Sequence, residues 1–225
     1  MIDIKIISLD KDIERRFKLE NNLKQYNLHG DFISAIDGRK LSAIDYFKMS
    51  KNSDYFFDRK SYLTPSELGC FLSHKKALSE FVENSQANWL LVLEDDVFFD
   101  EELSIFINKR EDSLCTNNLY ILGGQNGLAS FNRVFFTKKT KDKPYMMKAS
   151  FGTHRWLYRT CCYLIHRKNA KDMISLMEKN TYVVDNWNYV LKNTDLNSIW
   201  FCNVISHPED IISSNIQEER DLSKL

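Results

Sequence analysis

The sequence predicts an α/β fold: a Rossmann-type mixed, mainly parallel sheet flanked by helices. Three observations lead there. Trp89-Leu90-Leu91-Val92-Leu93 is an apolar run without Gly or Pro, the pattern of a strand buried on both faces. Strand-like segments alternate with helix-forming segments through the first half of the chain, as in parallel α/β sheets. The apolar run ends in Glu94-Asp95-Asp96, which puts three carboxylates at the carboxyl end of a strand, where open α/β sheets bind ligands.

In chain order, Ile4-Lys5-Ile6-Ile7-Ser8-Leu9 reads as a first buried strand. Residues 11–26 are rich in helix formers, with Asp12, Glu14, Arg15 and Arg16 in the opening turns. Arg16 either pairs with Glu20 at i,i+4 or stands near the end of the first strand and reaches a nucleotide. Residues 32–36 read as a second strand that closes on Asp37-Gly38, residue types that supply turn geometry at low steric cost. Residues 41–60 have weak periodicity and read as a short helix or an irregular excursion. Thr64-Pro65-Ser66-Glu67 combines an N-cap Thr, Pro at the first helical position and Glu three residues after the cap. The helix it opens should run to about Glu83, with Leu68, Phe71, Leu72, Leu78 and Val82 as its apolar stripe. His74 falls at the edge of that stripe, where a ring is commonly half-buried.

Beyond the acids, Glu101 to Arg110 reads as a helix with acids early and bases late, matching its dipole. Residues 119–122 form a strand that runs into Gly123-Gly124-Gln125-Asn126-Gly127. Glycines there serve a flexible loop or a close backbone approach to a ligand, and the Gly-Lys-Ser/Thr ending of a Walker A loop is missing. Residues 131–137 and 145–151 read as a ribbon around the basic tip at 138–143, which is either a solvated turn or a contact for an anionic acceptor or membrane surface. Residues 160–165 form a strand and 168–178 a helix with Ala170, Met173, Ile174 and Met177 turned inward. Asp185 precedes a helix ending near Lys192 and suits its N-cap. The tail beyond Ser206 is polar.

With 225 residues the chain suits a single domain. Thirty-one basic and thirty-one acidic residues cancel, so no global field draws it to nucleic acid. The five cysteines, Cys70, Cys115, Cys161, Cys162 and Cys202, form no C-x-x-C pair. The adjacent Cys161 and Cys162 would point oppositely in a strand. The N-terminus has no signal-peptide layout and no apolar run reaches membrane-spanning length. These features predict a cytoplasmic protein with reduced thiols and leave room for peripheral membrane contact.

Clustered carboxylates repel one another and lose hydration beside an apolar core. A hard divalent cation such as Mg²⁺ or Mn²⁺ offsets both costs, although a solvated acidic turn is the competing reading. A bound ion can bridge a diphosphate and neutralise a departing nucleoside diphosphate. That chemistry needs a base for the acceptor hydroxyl. Asp185, Glu209 and Asp210 are candidate bases, and His74, His154 and His207 are candidate bases or metal ligands. Two other classes compete. A nucleotidyltransferase would carry a Gly- and Lys/Arg-rich loop after the first strand, where this chain has Asp10-Lys11-Asp12-Ile13-Glu14. A non-catalytic carbohydrate-binding domain would need no acid triplet on a buried strand.

Several stretches together resemble glycosyltransferase family 25, bacterial lipooligosaccharide glycosyltransferases with a GT-A type fold. They are Ile6-Ile7-Ser8-Leu9 with Glu14-Arg15-Arg16, Ala35-Ile36-Asp37-Gly38, the run from Leu63 to His74, and Leu91-Val92-Leu93-Glu94-Asp95-Asp96. Weaker matches are residues 160–165 with Ala170, Val184-Asp185, and the tail from Ser213 to Arg220. The resemblance implies a GT-A-like sheet and inverting transfer of a hexose, most often galactose from UDP-galactose, to a growing glycan. The acceptor would be an oligosaccharide or a lipid-linked glycan, near the cytoplasmic face of the inner membrane. Residues 1–125 would form the nucleotide-sugar half, and 126–225 the acceptor side with the tail. Glu94 and Asp96 would flank the Mn²⁺ or Mg²⁺ ion, with His207 as a further ligand. Ser8, Leu9, Arg16, Asp37, Gly38, Ser73, His74 and Asp95 would line the UDP-sugar, and Asp185 would act as base. Ser8 stands where the family usually has Asn, and Arg159 where Gly is common.

Overall fold

The computed structural model describes residues 1–54, 61–110, 113–207 and Glu219. Its strands are β1 (Ile2–Ser8), β2 (Asp31–Ser34), β3 (Trp89–Glu94), β4 (Phe98–Phe99), β5 (Asn118–Gly123), β6 (Phe136–Lys139), β7 (Met146–Ala149), β8 (Cys162–His166) and β9 (Ser198–Ser206). The helices are α1 (Ile13–Gln25), α2 (Ala43–Met49), α3 (Pro65–Asn84), α4 (Glu101–Arg110), α5 (Arg167–Lys179) and α6 (Trp187–Asn193). The strands form one sheet in the order β2-β1-β3-β8-β5-β9-β7-β6, with β4 paired to β9. Six strands point one way, and β4, β7 and β8 the other.

Register gathers the useful strand ends. Ile7 lies opposite Glu94 and Ser8 opposite Ser34, so β1, β2 and β3 finish side by side. The antiparallel β8 begins at the same edge, with Cys162 opposite Leu93. Gly123 at the end of β5 lies opposite Ile205 near the end of β9. One edge of the sheet therefore collects five carboxyl ends and one amino end.

Strand β3 is buried on both faces, as its composition predicts. Leu90 and Val92 pack with Leu68, Phe71 and Phe81 of α3 and Met173 of α5. Trp89, Leu91 and Leu93 pack with Leu19 and Leu23 of α1 and Phe106 of α4. Burial of each such side chain contributes roughly 1.5–3 kcal/mol. Helix α3 opens with the expected capping box: Thr64 Oγ1 accepts the Glu67 N–H, and a Glu67 carboxylate oxygen accepts the Thr64 N–H. Glu219 adds a second cap, its carboxylate taking both the N–H and the hydroxyl of Ser66. Glu209 and Asp210 lie outside the described residues, as do 55–60 of the 41–60 stretch, in which α2 is the short helix.

Several local expectations are corrected. The first arm of the ribbon begins as a 3-10 turn at Ala129–Arg133, and strand pairing reaches Lys139. Asn186, not Asp185, caps α6, its side chain accepting from the Tyr189 N–H. Cys161 precedes β8 instead of lying within it, so its sulfur and that of Cys162 come within 3.7 Å. Gly38 does not serve positive-φ turn geometry. A Cβ there would lie 1.8 Å from the Pro65 carbonyl oxygen, and one on Gly69 2.5 Å from that of Ile36. The two glycines let the loop after β2 lie flat on the first turns of α3.

His154 sits in the packing against α6, with Nε2 at 3.1 Å from Asn188 Oδ1. Burial, above all, holds its pKa below the ordinary histidine value. The folded protein thus prefers the neutral ring. As pH falls below about 6.5 the unfolded chain takes up this proton first, so stability falls with it. In urea denaturation between pH 7.5 and 5.5, His154→Gln should lose less stability than the wild type. Gly38→Ala should cost about 2–3 kcal/mol by forcing the loop off α3. That corresponds to a fall in melting temperature of roughly 4–12 °C by circular dichroism.

Candidate functional site

Residues alternate across a strand, so the last residue of β3 follows Leu90 and Val92 onto the α3 face. Glu94 meets His74 there, and His74 is fully buried, not at a half-exposed boundary. His74 Nε2 lies 3.2 Å from Glu94 Oε1 and Nδ1 3.2 Å from the Tyr163 hydroxyl. A carboxylate only accepts, so Nε2 carries the proton and Nδ1 accepts from Tyr163. Burial keeps the Tyr163 phenol protonated by pushing it well above its usual range. Thr160, two residues before β8, donates to the same Glu94 oxygen at 2.7 Å.

Asp95 is turned to the α1 side. Ser8 Oγ donates to it at 2.6 Å and Arg15 at 3.3 Å. Burial and the neighbouring Asp96 charge hold its carboxyl above the usual range despite these donors. Asp96 faces His207, with Oδ2 3.3 Å from the ring Nε2 and 3.9 Å from Arg15. The pairing of Phe98 with Ser206 sets this contact by fixing the residues beside them. Burial pushes Asp96 up, but the hydrogen bond and charge of His207, with Arg15, outweigh it and hold the group below the usual range. Its other oxygen, Oδ1, is buried with no hydrogen-bond partner among the described residues.

Arg16 does not pair with Glu20, which Lys24 takes instead. Its guanidinium wraps the end of β1, reaching Ser8 O at 2.8 Å, Ser8 Oγ at 3.0 Å and Asp10 at 2.8 Å. Asp10 also accepts from Ser34 at 2.6 Å, tying β1 to β2, and the Leu9 carbonyl accepts the Asp12 N–H. Asp37 is clasped by Arg39 at 2.8 Å, which holds its carboxyl below the usual range. Ser73 has a positioning duty: its hydroxyl donates to Gly69 O and accepts the Ile36 N–H at 2.8 Å.

Asp185 accepts the Arg159 N–H at 3.1 Å. Arg159 lies in the left-handed region at φ +62°, where a non-glycine residue is strained. That conformation accounts for the glycine common in the resembling family. In exchange, the guanidinium grips the Gly124 carbonyl at 2.7 Å, and the Arg159 carbonyl accepts the Trp187 indole N–H at 3.3 Å. Arg159 thereby links the loop after β5, Asp185 and the start of α6. Gly123 and Gly124 of that loop sit at φ +147° and +70° and are also closely packed: a Cβ on Gly123 would lie 1.7 Å from Ile205 O, and one on Gly124 2.2 Å from the Cys161 sulfur. Arg15, Thr160 and Arg159 are the site residues that pattern reading missed. Only Arg15, next to Arg16, carried a local signal.

Two donor sets could take a cation. Cys70, His74 and Glu94 offer atoms within 4.8 Å of one another. Hydrogen bonds already account for both His74 nitrogens and for Glu94 Oε1. The Asp96 and His207 pair differs, because a buried carboxylate oxygen there has no partner. Such an orphan is costly; its carboxylate suits Mn²⁺ or Mg²⁺, and the neighbouring imidazole favours the softer Mn²⁺ of the two.

The sheet and its acidic edge define a ligand-binding α/β domain of the kind that handles charged substrates at strand ends. The profile of glycosyltransferase family 25, described as an LPS biosynthesis protein, matches residues 1–187. The chain belongs to glycosyltransferase family 25. It is 28% identical over 207 residues to a glycosyltransferase 25 family member of Aedes aegypti, covering 88% of this chain and 32% of that protein. It is 27% identical over 117 residues to human procollagen galactosyltransferase 2, covering 50% of this chain and 18% of that protein. The chain thus spans about a third or less of the length of these curated relatives. Among solved structures, a complex of the galactosyltransferase LgtC with donor and acceptor sugar analogs superposes with a TM-score of 0.48 at 9% identity, covering 99% of this chain and 95% of that one.

Mn²⁺ titration followed by electron paramagnetic resonance separates the two donor sets. Asp96→Asn should weaken binding by roughly tenfold or more, whereas Cys70→Ser should leave it unchanged. The reverse pattern would move the cation to the Cys70 corner.

Proposed function

We propose that the chain is an inverting, metal-dependent glycosyltransferase that moves a hexose, galactose foremost, from a UDP-sugar to a hydroxyl of a growing lipooligosaccharide or other surface glycan. The observation that carries this reading is the buried, unpartnered Asp96 Oδ1 beside His207, at the edge where β1 and β3 end. Family membership supports the transfer chemistry, and the name of the human relative supports galactose as the first sugar to test.

In this reading Asp96, His207 and Glu94 hold a divalent ion, which supplies neutralisation of charge on the departing UDP. Ser8 and Asp95 shape the nucleotide side of the cleft, with Arg16 bracing the end of β1 and Arg15 limiting the repulsion between Asp95 and Asp96. His74, Thr160 and Tyr163 fix the orientation of Glu94. Asp185, held by the Arg159 N–H, takes the proton from the acceptor hydroxyl as that oxygen bonds to the anomeric carbon. The bond from that carbon to UDP breaks on the opposite face, so configuration inverts. The expected setting is the cytoplasmic face of the inner membrane. Among the described residues no helix is long and apolar enough to cross a membrane.

A donor panel of UDP-galactose, UDP-glucose and UDP-N-acetylhexosamines, with and without Mn²⁺, tests the reading. Cation-dependent UDP release is expected. Asp185→Asn should lower kcat by roughly 10²–10⁴ while the melting temperature stays close to wild type. Pyrophosphate release from UTP and a sugar phosphate would instead make the protein a nucleotidyltransferase, and neither product would make it a binding domain.

A further inference from the structure

We propose that the exposed end of the β6–β7 ribbon docks on an anionic phospholipid surface, with Phe135 and Phe151 seated in the headgroup layer. The zero net charge conceals a local excess. Residues 131–155 hold seven of the 31 lysines and arginines but only one acid, Asp142. A local basic patch is drawn to an anionic surface even where the net charge is zero.

The ribbon concentrates this basic character beside unpartnered apolar surface. Phe151 is 95% exposed and Phe135 67% exposed. They sit together: the Phe135 carbonyl accepts the Ser150 N–H at 2.7 Å, and its N–H donates to Thr153 Oγ1 at 3.2 Å. Arg133 and Arg155 flank them, their guanidinium carbons 4.7 and 5.2 Å from the Trp156 ring centre. Further along, Lys138 lies directly opposite Lys148, a like-charge cross-strand pair that weakens a hairpin.

Protection of an edge strand is the ordinary use of lysines there, and β6 is the last strand of the sheet. That use explains Lys138 and Lys139. It does not explain two phenylalanines left in water beside two arginines, nor the charge facing charge at Lys148. An anionic lipid surface satisfies all three. Lipid phosphates neutralise the basic groups, and the aromatic rings leave water at the depth where amphipathic elements bind bilayers. A soluble anionic glycan would match the charge without requiring the depth of two protruding rings. The assignment is independent of the catalytic reading, because it uses none of the acidic-edge residues.

Co-sedimentation of the full chain with vesicles tests it. Binding is expected to phosphatidylcholine vesicles containing phosphatidylglycerol, to be weak to phosphatidylcholine alone, and to be released by high salt. The Phe135→Ser/Phe151→Ser variant should bind the anionic vesicles roughly tenfold or more weakly. Lys138→Ala/Lys139→Ala should weaken binding to a similar degree. Circular dichroism on each variant shows that the fold is retained. Failure of the wild type to sediment with anionic vesicles would overturn the proposal. So would unchanged binding by the Phe variant, since that would reduce the contact to charge alone and favour a soluble polyanion. Self-association of the chain that the Phe variant abolishes, without vesicle binding, would assign the patch to a second copy.

Discussion

Glu94 closes a strand buried on both faces, and the alternation of side chains along that strand decides where each acid of the triplet goes. Leu90 and Val92 are fixed against α3 and α5, and Leu91 and Leu93 against α1 and α4. Glu94 is therefore delivered to His74 on one side and Asp95 to Ser8 and Arg15 on the other. A shift of one residue in register would exchange the two faces. It would exchange the leucines between the two helix layers, each shaped for other side chains, and drive Glu94 into the α1 layer. Burial of the five apolar residues, at roughly 1.5–3 kcal/mol each, greatly exceeds the few kcal/mol needed to hold partly dehydrated carboxylates. The core thus sets the geometry of the edge, and the edge only adapts.

That hierarchy explains what the chain revealed before folding. Strand β3, the capping box of α3 and the place of the acids at a carboxyl edge are local patterns of apolarity and cap chemistry, and all were legible. Asp96 and His207, 111 residues apart in sequence, meet in one ligand set only through the family resemblance. Their meeting depends on the Phe98–Ser206 pairing, a register that no local pattern encodes. His74 was misplaced because a helical wheel ranks residues by the polarity of one helix. It cannot see that Tyr163 and Glu94 wait across the interface to satisfy both ring nitrogens.

Glycine was the least legible residue type. Asp37-Gly38 has the composition of a turn, yet Gly38 is required by the backbone of α3 pressing on it. The Gly123-Gly124 pair has the look of a mobile loop, yet a side chain on either would strike Ile205 or Cys161. Arg159 is the mirror case. It occupies a backbone conformation suited to glycine and holds it with four hydrogen bonds made by its own main chain and guanidinium. At Gly38 a neighbour distant in sequence sets the requirement, and at Gly123 and Gly124 such neighbours act together with a positive φ, so composition names only part of the cause.

The three acids, adjacent in sequence, end in three different electrostatic conditions. Glu94 accepts from His74 and Thr160. Asp95 is boxed by Ser8 and Arg15, and burial still keeps its carboxyl above the usual range. Asp96 is held ionised by His207 and Arg15 while one of its oxygens stays buried and unpartnered. A solvated acidic turn would leave all three alike, hydrated and interchangeable. The proposed ion-binding corner uses this division: one ionised group with an open lone pair, and neighbours held in place by contacts from the protein. In the proposed reading the pull on a cation is therefore strongest at Asp96, whose buried oxygen no described residue meets, while the contacts from His74 and Thr160 fix the position of Glu94 as its neighbouring ligand.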